Sequence, residues 1–189
     1  MSRVDDGKAD QGAGEGGEAE AFTALRDARA LAEAAAMPGA AGVSAAHLWH
    51  HAAREGDAID LRIERHLRRH PGARMVYARA LAARAAGFSS IAAAAASDRV
   101  LARRLGPHRL QLIDEGGITW LTLTLGDISG AEAGRRYALE ALGADGSSQR
   151  IDLGAPIDGV LQVPLEPRFA ELARLKALLE RPDTAVYLL

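Results

Sequence analysis

Apolar positions change their period part-way along this 189-residue chain. Between residues 20 and 105 they recur at steps of three and four, which line one side of a helix. Beyond residue 107 they alternate with polar positions, the period of a strand with one face buried. Ahead of both, residues 1–19 are mostly Gly, Asp, Glu, Lys, Gln and Ala. Such a segment cannot bury enough surface to offset the entropy of ordering, which predicts a disordered acidic, Gly-rich tail.

The helical half divides at its breakers. A first helix is predicted over Glu20–Met37, with Phe22, Leu25 and Leu31 among alanines and Pro38-Gly39 as its stop. Ser44 is a good N-cap for a second, which carries His47, Leu48, Trp49 and His51 and ends near Gly56. Asp57 caps a third, in which Ile59, Ile63 and Leu67 recur at four-residue steps up to Pro71-Gly72. A fourth runs from Ala73 to Ala86 with Val76, Ala80, Leu81 and Ala83 as its stripe, and Gly87 breaks it. One or two shorter helical pieces are expected from Ser89 to Leu105, with Ser97 as a cap.

After Gly106-Pro107 the expected elements are strands. Leu110 and Leu112, then Ile118, Leu121, Leu123 and Leu125, flank a Glu115-Gly116-Gly117 turn as a hairpin. Tyr137, Leu139 and Ala141 alternate with Arg136, Ala138 and Glu140, and Asp145-Gly146 marks a turn before Gln149–Leu153. Ile157–Leu165, bent at Asp158-Gly159, reads as strand, Pro167–Glu180 as a helix, and Val186–Leu189 as a last strand. The expected fold class is therefore α+β: an N-terminal bundle of about four helices over 20–105, then a small antiparallel β-sandwich over 107–189.

Composition fits a globular protein, with 48% apolar and 25% charged residues. The lack of cysteine excludes disulfides and Cys-ligated zinc or iron–sulfur sites. No basic segment leads into an apolar core, and the apolar run Ile91–Ala96 is far short of the ~20 residues a spanning helix needs. A soluble, cytoplasmic protein with no membrane partner is expected. The net charge of −2 conceals segregation: residues 1–20 balance at −4, residues 54–109 at +7 and residues 110–189 at −5. A basic middle between acidic ends suggests a modular chain and an acidic partner for the middle.

Few enzyme chemistries find their residues here. There is no Gly-x-Ser-x-Gly elbow, and the Gly-rich Gly12–Gly17 run follows no strand and lacks the Lys-Ser/Thr ending of a phosphate loop. Asp57 and Asp60 suit a helix N-terminus better than a catalytic pair. The histidines stand out, because five of six lie between His47 and His70. His47 with His51, and His66 with His70, are four apart, so each pair shares a helix face and could reach one zinc ion. The alternative is a His-rich helical surface that binds protein, and the neighbouring Arg62, Arg65, Arg68 and Arg69 oppose a dication. A second arginine group, Arg99, Arg103, Arg104 and Arg109, could contact phosphate. Against nucleic acid stand the acidic chain as a whole and aromatics at only 4%, too few for base stacking.

The phrase Ile63-Glu64-Arg65-His66-Leu67-Arg68-Arg69-His70-Pro71-Gly72-Ala73-Arg74 resembles the zinc-associated anti-sigma factors, whose helical domain carries a His-x-x-x-Cys-x-x-Cys motif. His66 falls on the motif histidine, His70 on the first cysteine and Ala73 on the second; Leu48–His51 followed by Gly56-Asp57 resembles the helix and turn before the motif. The likeness covers residues 44–86. With both cysteines missing it implies a metal-free variant packed by Leu48, Trp49, Ile59, Ile63 and Leu67, which wraps a sigma factor. The strand and turn order from Trp120 to Pro164 is similar to transthyretin-like β-sandwich modules, which bind or space rather than catalyse. Together these imply a non-enzymatic regulator without cofactor, which sequesters a sigma factor through Arg62, Arg65, Arg69 and Trp49. A two-domain adaptor that docks another effector protein is the alternative.

Overall fold

Ser44 opens helix α1 (Ala45–Ala52) with a capping box. Its Oγ accepts from the His47 N–H, and His47 Nδ1 accepts from the Ser44 N–H at 3.1 Å, so an imidazole does what Glu or Gln usually does there. The computed structural model describes residues 42–54, 60–89, 100–126 and 134–189. The expected tail over 1–19, the helix over 20–37, and the caps at Asp57 and Ser97 lie outside the described residues, as does Ile59.

Helix α2 (Leu61–Arg69) is capped by Asp60, whose carboxylate accepts from the Arg62 N–H at 2.8 Å. Ile63, Glu64 and Leu67 form its buried side. Helix α3 (Pro71–Ala82) begins on Pro71, in the first turn, where the missing N–H has no intrahelical role. Pro71 therefore both stops α2 and starts α3, two residues ahead of the expected Ala73 and with an end at Ala82 rather than Ala86. Ala73, Val76, Tyr77, Ala80 and Leu81 are its buried face.

The helical pieces expected over Ser89–Leu105 are corrected where they are described. Gly87–Ser89 is strand β1 and Val100–Leu105 is strand β2. Strand β2 pairs antiparallel with β3 (His108–Glu115) through the two-residue loop Gly106-Pro107. Gly106 has φ 61°, the left-handed backbone that a tight hairpin loop requires and glycine accepts. Pairing along the hairpin overrides the helical propensity of this Ala- and Arg-rich stretch. The boundary expected at 106–107 is thus a hairpin turn, and every described residue belongs to one compact unit, Gly39–Leu189.

Among the described residues the fold is mixed α+β with two antiparallel four-stranded sheets. One has the order β2-β3-β4-β7, with β4 at Ile118–Thr124 and β7 at Val160–Pro164. The other has the order β1-β8-β5-β6, with β5 at Tyr137–Gly143, β6 at Ser148–Gly154 and β8 at Thr184–Leu188. Helix α4 (Ala170–Leu179) joins β7 to β8, where the sequence predicts a helix. One apolar cluster takes Leu110, Leu112, Leu121 and Leu123 from the first sheet, Leu139, Ile151, Val186 and Leu188 from the second, and Leu175 and Leu179 from α4.

Strand β5 is buried on both faces, unlike the half-exposed strand its alternation predicts. Leu139 and Ala141 meet the apolar cluster. Glu140 points the other way, to the helices, where Tyr77 donates to it. Helix α2 meets the same sheet at the β5–β6 turn, where the Gly146 Cα lies close under the Leu67 backbone. Glu64 also pairs with Arg174 of α4.

Three arginines close helix C-termini from outside. Arg150 donates to the carbonyls of Ala52 (3.0 Å), the last residue of α1, and Arg54 (2.5 Å) just beyond it, and Arg74 to Leu67 (2.9 Å) in α2. Arg103 of β2 donates to Leu179 and to Arg181 (2.6 Å) at the end of α4, and to Thr184 (2.8 Å). A guanidinium suits a helix C-terminus because it satisfies carbonyls without intrahelical donors and opposes the negative dipole end. Part of the basic middle is therefore internal scaffolding.

Candidate functional site

The outer side of α2 carries the arginines that the sequence singles out. Arg62, Arg65 and Arg69 follow one another at three- and four-residue steps and are all exposed. Arg62 lies 3.6 Å from Asp60, whereas Arg65 and Arg69 make no ion pair or hydrogen bond with a described residue. The opposite side of the helix is fixed by Ile63, Leu67 and the Glu64 ion pairs with Arg68 (2.9 Å) and Arg174. This is a rigid helix presenting a basic stripe.

Trp49 sits on α1 and is 38% exposed, which corrects its expected place in the helical core; Leu48, Ile63 and Leu67 are buried as expected. No ring contact or hydrogen bond joins Trp49 to the α2 arginines among the described residues.

The histidine pairs are not brought into one site. His47 is engaged in the α1 cap. His51 lies against the Tyr77 ring, with centroids 5.7 Å apart, and the His66 and His70 rings contact each other at 4.4 Å. Among the described residues no three His, Cys, Asp or Glu side chains gather as a metal-binding group. Burial, with the Arg54 and Arg150 charges, lowers the His51 pKa to about 4, and burial beside His70 lowers that of His66. In an unfolded chain imidazole titrates near 6.5. Between those values the unfolded state binds a proton that folded His51 does not, so stability is full above about pH 6.5 and falls as pH drops toward 4. His51→Gln should flatten that loss, read as the difference in urea midpoint between pH 7 and pH 5. An unchanged slope would contradict the burial of a neutral His51.

A second cluster was not expected from the sequence. Glu140 is fully buried between the helices and β5. Its Oε1 accepts from the Tyr77 hydroxyl at 2.5 Å, its Oε2 accepts from Arg150 Nε at 2.6 Å, and Arg54 lies 3.8 Å from Oε2. Arg54 also donates to the Tyr77 oxygen at 2.9 Å. Burial and the Glu140 charge push the Tyr77 hydroxyl well above its ordinary pKa, so it stays protonated and donates. Both carboxylate oxygens are taken and the tyrosine is not an available base. The arrangement suits a joint between layers better than acid–base chemistry. The sequence did hold one signal: Glu140 and Arg150 are equidistant from Asp145, and a hairpin turning there places them opposite each other, as they are.

Beside this joint is a cavity of about 520 Å³ lined by Arg54, Arg84, Arg136, Arg150, Asp152 and Leu189, among others. Its charge is largely spent internally, since Arg136 pairs with Asp152 at 2.6 Å and Arg150 with Glu140. Among the described residues no helix is long and apolar enough to cross a membrane. No family model, curated protein or solved structure matches this chain.

Proposed function

We propose that this chain is a non-enzymatic regulatory protein that docks an acidic protein partner through the outer face of α2. The observation that carries this reading is the stripe of Arg62, Arg65 and Arg69, exposed on a helix whose inner side is locked in place. A fixed basic stripe steers an acidic partner and sets its register at little entropic cost. Trp49, a large aromatic left partly in solvent on α1, is the proposed apolar anchor.

The likeness of Glu64–Arg74 to the zinc-associated anti-sigma factors makes a sigma factor the first partner to try, bound in the cytoplasm without metal. On that reading helices α1–α3 carry the sequestering face, and the two sheets they pack on serve as a sensor or a second docking surface. The adaptor reading has its own support. The inner side of α3 meets β5 through Tyr77 and Glu140, and that of α2 meets the β5–β6 turn and Arg174 of α4, which leaves an outer face for docking rather than a free bundle able to wrap a partner.

Charge reversal separates docking from folding. Arg65→Glu with Arg69→Glu should weaken binding to the co-purified partner by at least about tenfold, with helicity by circular dichroism unchanged. Loss of helicity would mean that these side chains hold the fold and are not a contact surface. If the partner is a sigma factor, deletion of this chain should raise output from promoters that factor serves; unchanged output with an intact protein complex favours the adaptor.

A further inference from the structure

The β2–β3 hairpin concentrates positive charge that the fold does not use. Arg104 and Arg109 are register partners across the antiparallel ladder. Both are exposed, and neither has an ion pair or hydrogen bond with a described residue. Directly opposed side chains in such a ladder start from Cβ atoms about 4.5–5.5 Å apart, and like charges so placed are destabilising. The pair lines a cavity of about 720 Å³ together with Ser89, Arg103 and His108, and the described lining contains no carboxylate.

Arg103 and His108 alternate with this pair along their strands and are buried toward the other face. There Arg103 serves the α4 carbonyls and His108 Nδ1 accepts from the Gly126 N–H (3.1 Å), so Arg104 and Arg109 carry the free charge between them. An unneutralised patch of donors beside a cavity of small-molecule size calls for an anion.

We infer that this hairpin binds a small phosphate-bearing ligand, clasped between the Arg104 and Arg109 guanidinium groups. A single carboxylate occupies one guanidinium fork, whereas a tetrahedral phosphate with two charges offers oxygens to both. The described lining has no Phe, Tyr or Trp on which a base could stack, so it favours a small phosphate over a single-stranded nucleic acid. This site is separate from the α2 stripe and does not rest on the docking reading.

The test is calorimetric titration of the full chain with pyrophosphate at constant ionic strength, beside melting curves without ligand. The expected result is saturable one-to-one binding, weakened at least about tenfold by Arg104→Gln and by Arg109→Gln. Each variant should melt no lower than wild type, because relief of like-charge repulsion accompanies the loss of binding. Arg65→Glu with Arg69→Glu should leave pyrophosphate binding unchanged. No saturable binding, binding that survives both glutamine variants, or equal weakening by Arg62→Gln on α2 would overturn the site. A single-stranded oligonucleotide that binds tighter than pyrophosphate and is weakened by Arg62→Gln would also overturn it, in favour of a nucleic-acid face.

Discussion

Glu140→Ala is expected to destabilise the protein by about 3–5 kcal/mol, the usual cost of removing one partner from a buried ion pair. The reason is what remains behind. Arg150 is 3% exposed and would keep its charge in the interior with only the Ala52 and Arg54 carbonyls as acceptors. The Tyr77 hydroxyl would lose its acceptor as well. Tyr77→Phe leaves Glu140 paired with Arg150, and should cost only about 1–3 kcal/mol, as for one hydrogen bond to a charged group. Urea denaturation followed by circular dichroism gives both values. A Glu140→Ala loss no larger than that of Tyr77→Phe would mean that the carboxylate is not the joint between helices and sheet.

Gly146→Ala should be nearly as damaging. Gly146 has φ 81°, and a left-handed alanine costs about 1–2 kcal/mol for that reason alone. A Cβ there would also lie 2.5 Å from the carbonyl carbon and oxygen of Leu67, which are backbone atoms and cannot swing aside. Separating α2 from the turn adds about 1–3 kcal/mol, as in other overpacked contacts. Gly116 provides the comparison, because it has φ 60° but nothing within 4 Å of the place an alanine methyl would take. Gly116→Ala should therefore show the backbone cost alone. The difference between the two denaturation midpoints isolates the contact between α2 and the β5–β6 turn, and a difference near zero would contradict that contact.

What the sequence made legible follows the range of the interactions involved. Ser44 as a cap, Pro71-Gly72 as a break, and the Gly116-Gly117 and Asp145-Gly146 turns are local effects, and the structure has them at those residues. Strand β2 was hidden because its partner lies across a tight turn and its Ala and Arg content favours helix until pairing is counted. Glu140 read as a solvated position because strand alternation says which residues share a face, not whether the chain returns to cover that face. The helices that cover it lie more than fifty residues upstream. Arg103 was grouped with exposed, phosphate-contacting arginines for a similar reason, since the helix end it closes is brought to it only by the tertiary fold. The α2 stripe was the most accessible part of the candidate site, because i, i+3 and i+7 positions share a face in any helix.

The docking surface proposed for this protein is the outer face of α2. Its most direct test is parallel affinity capture with three baits: wild type, Arg65→Glu with Arg69→Glu, and Arg168→Glu, which reverses an exposed arginine beyond β7. Captured proteins are identified by mass spectrometry, and the affinity of each purified candidate is then measured. The expected result is an acidic partner that wild type and Arg168→Glu retain with equal affinity and that the double variant binds at least about tenfold more weakly. A partner held equally by all three baits, or no partner that distinguishes them, would contradict it.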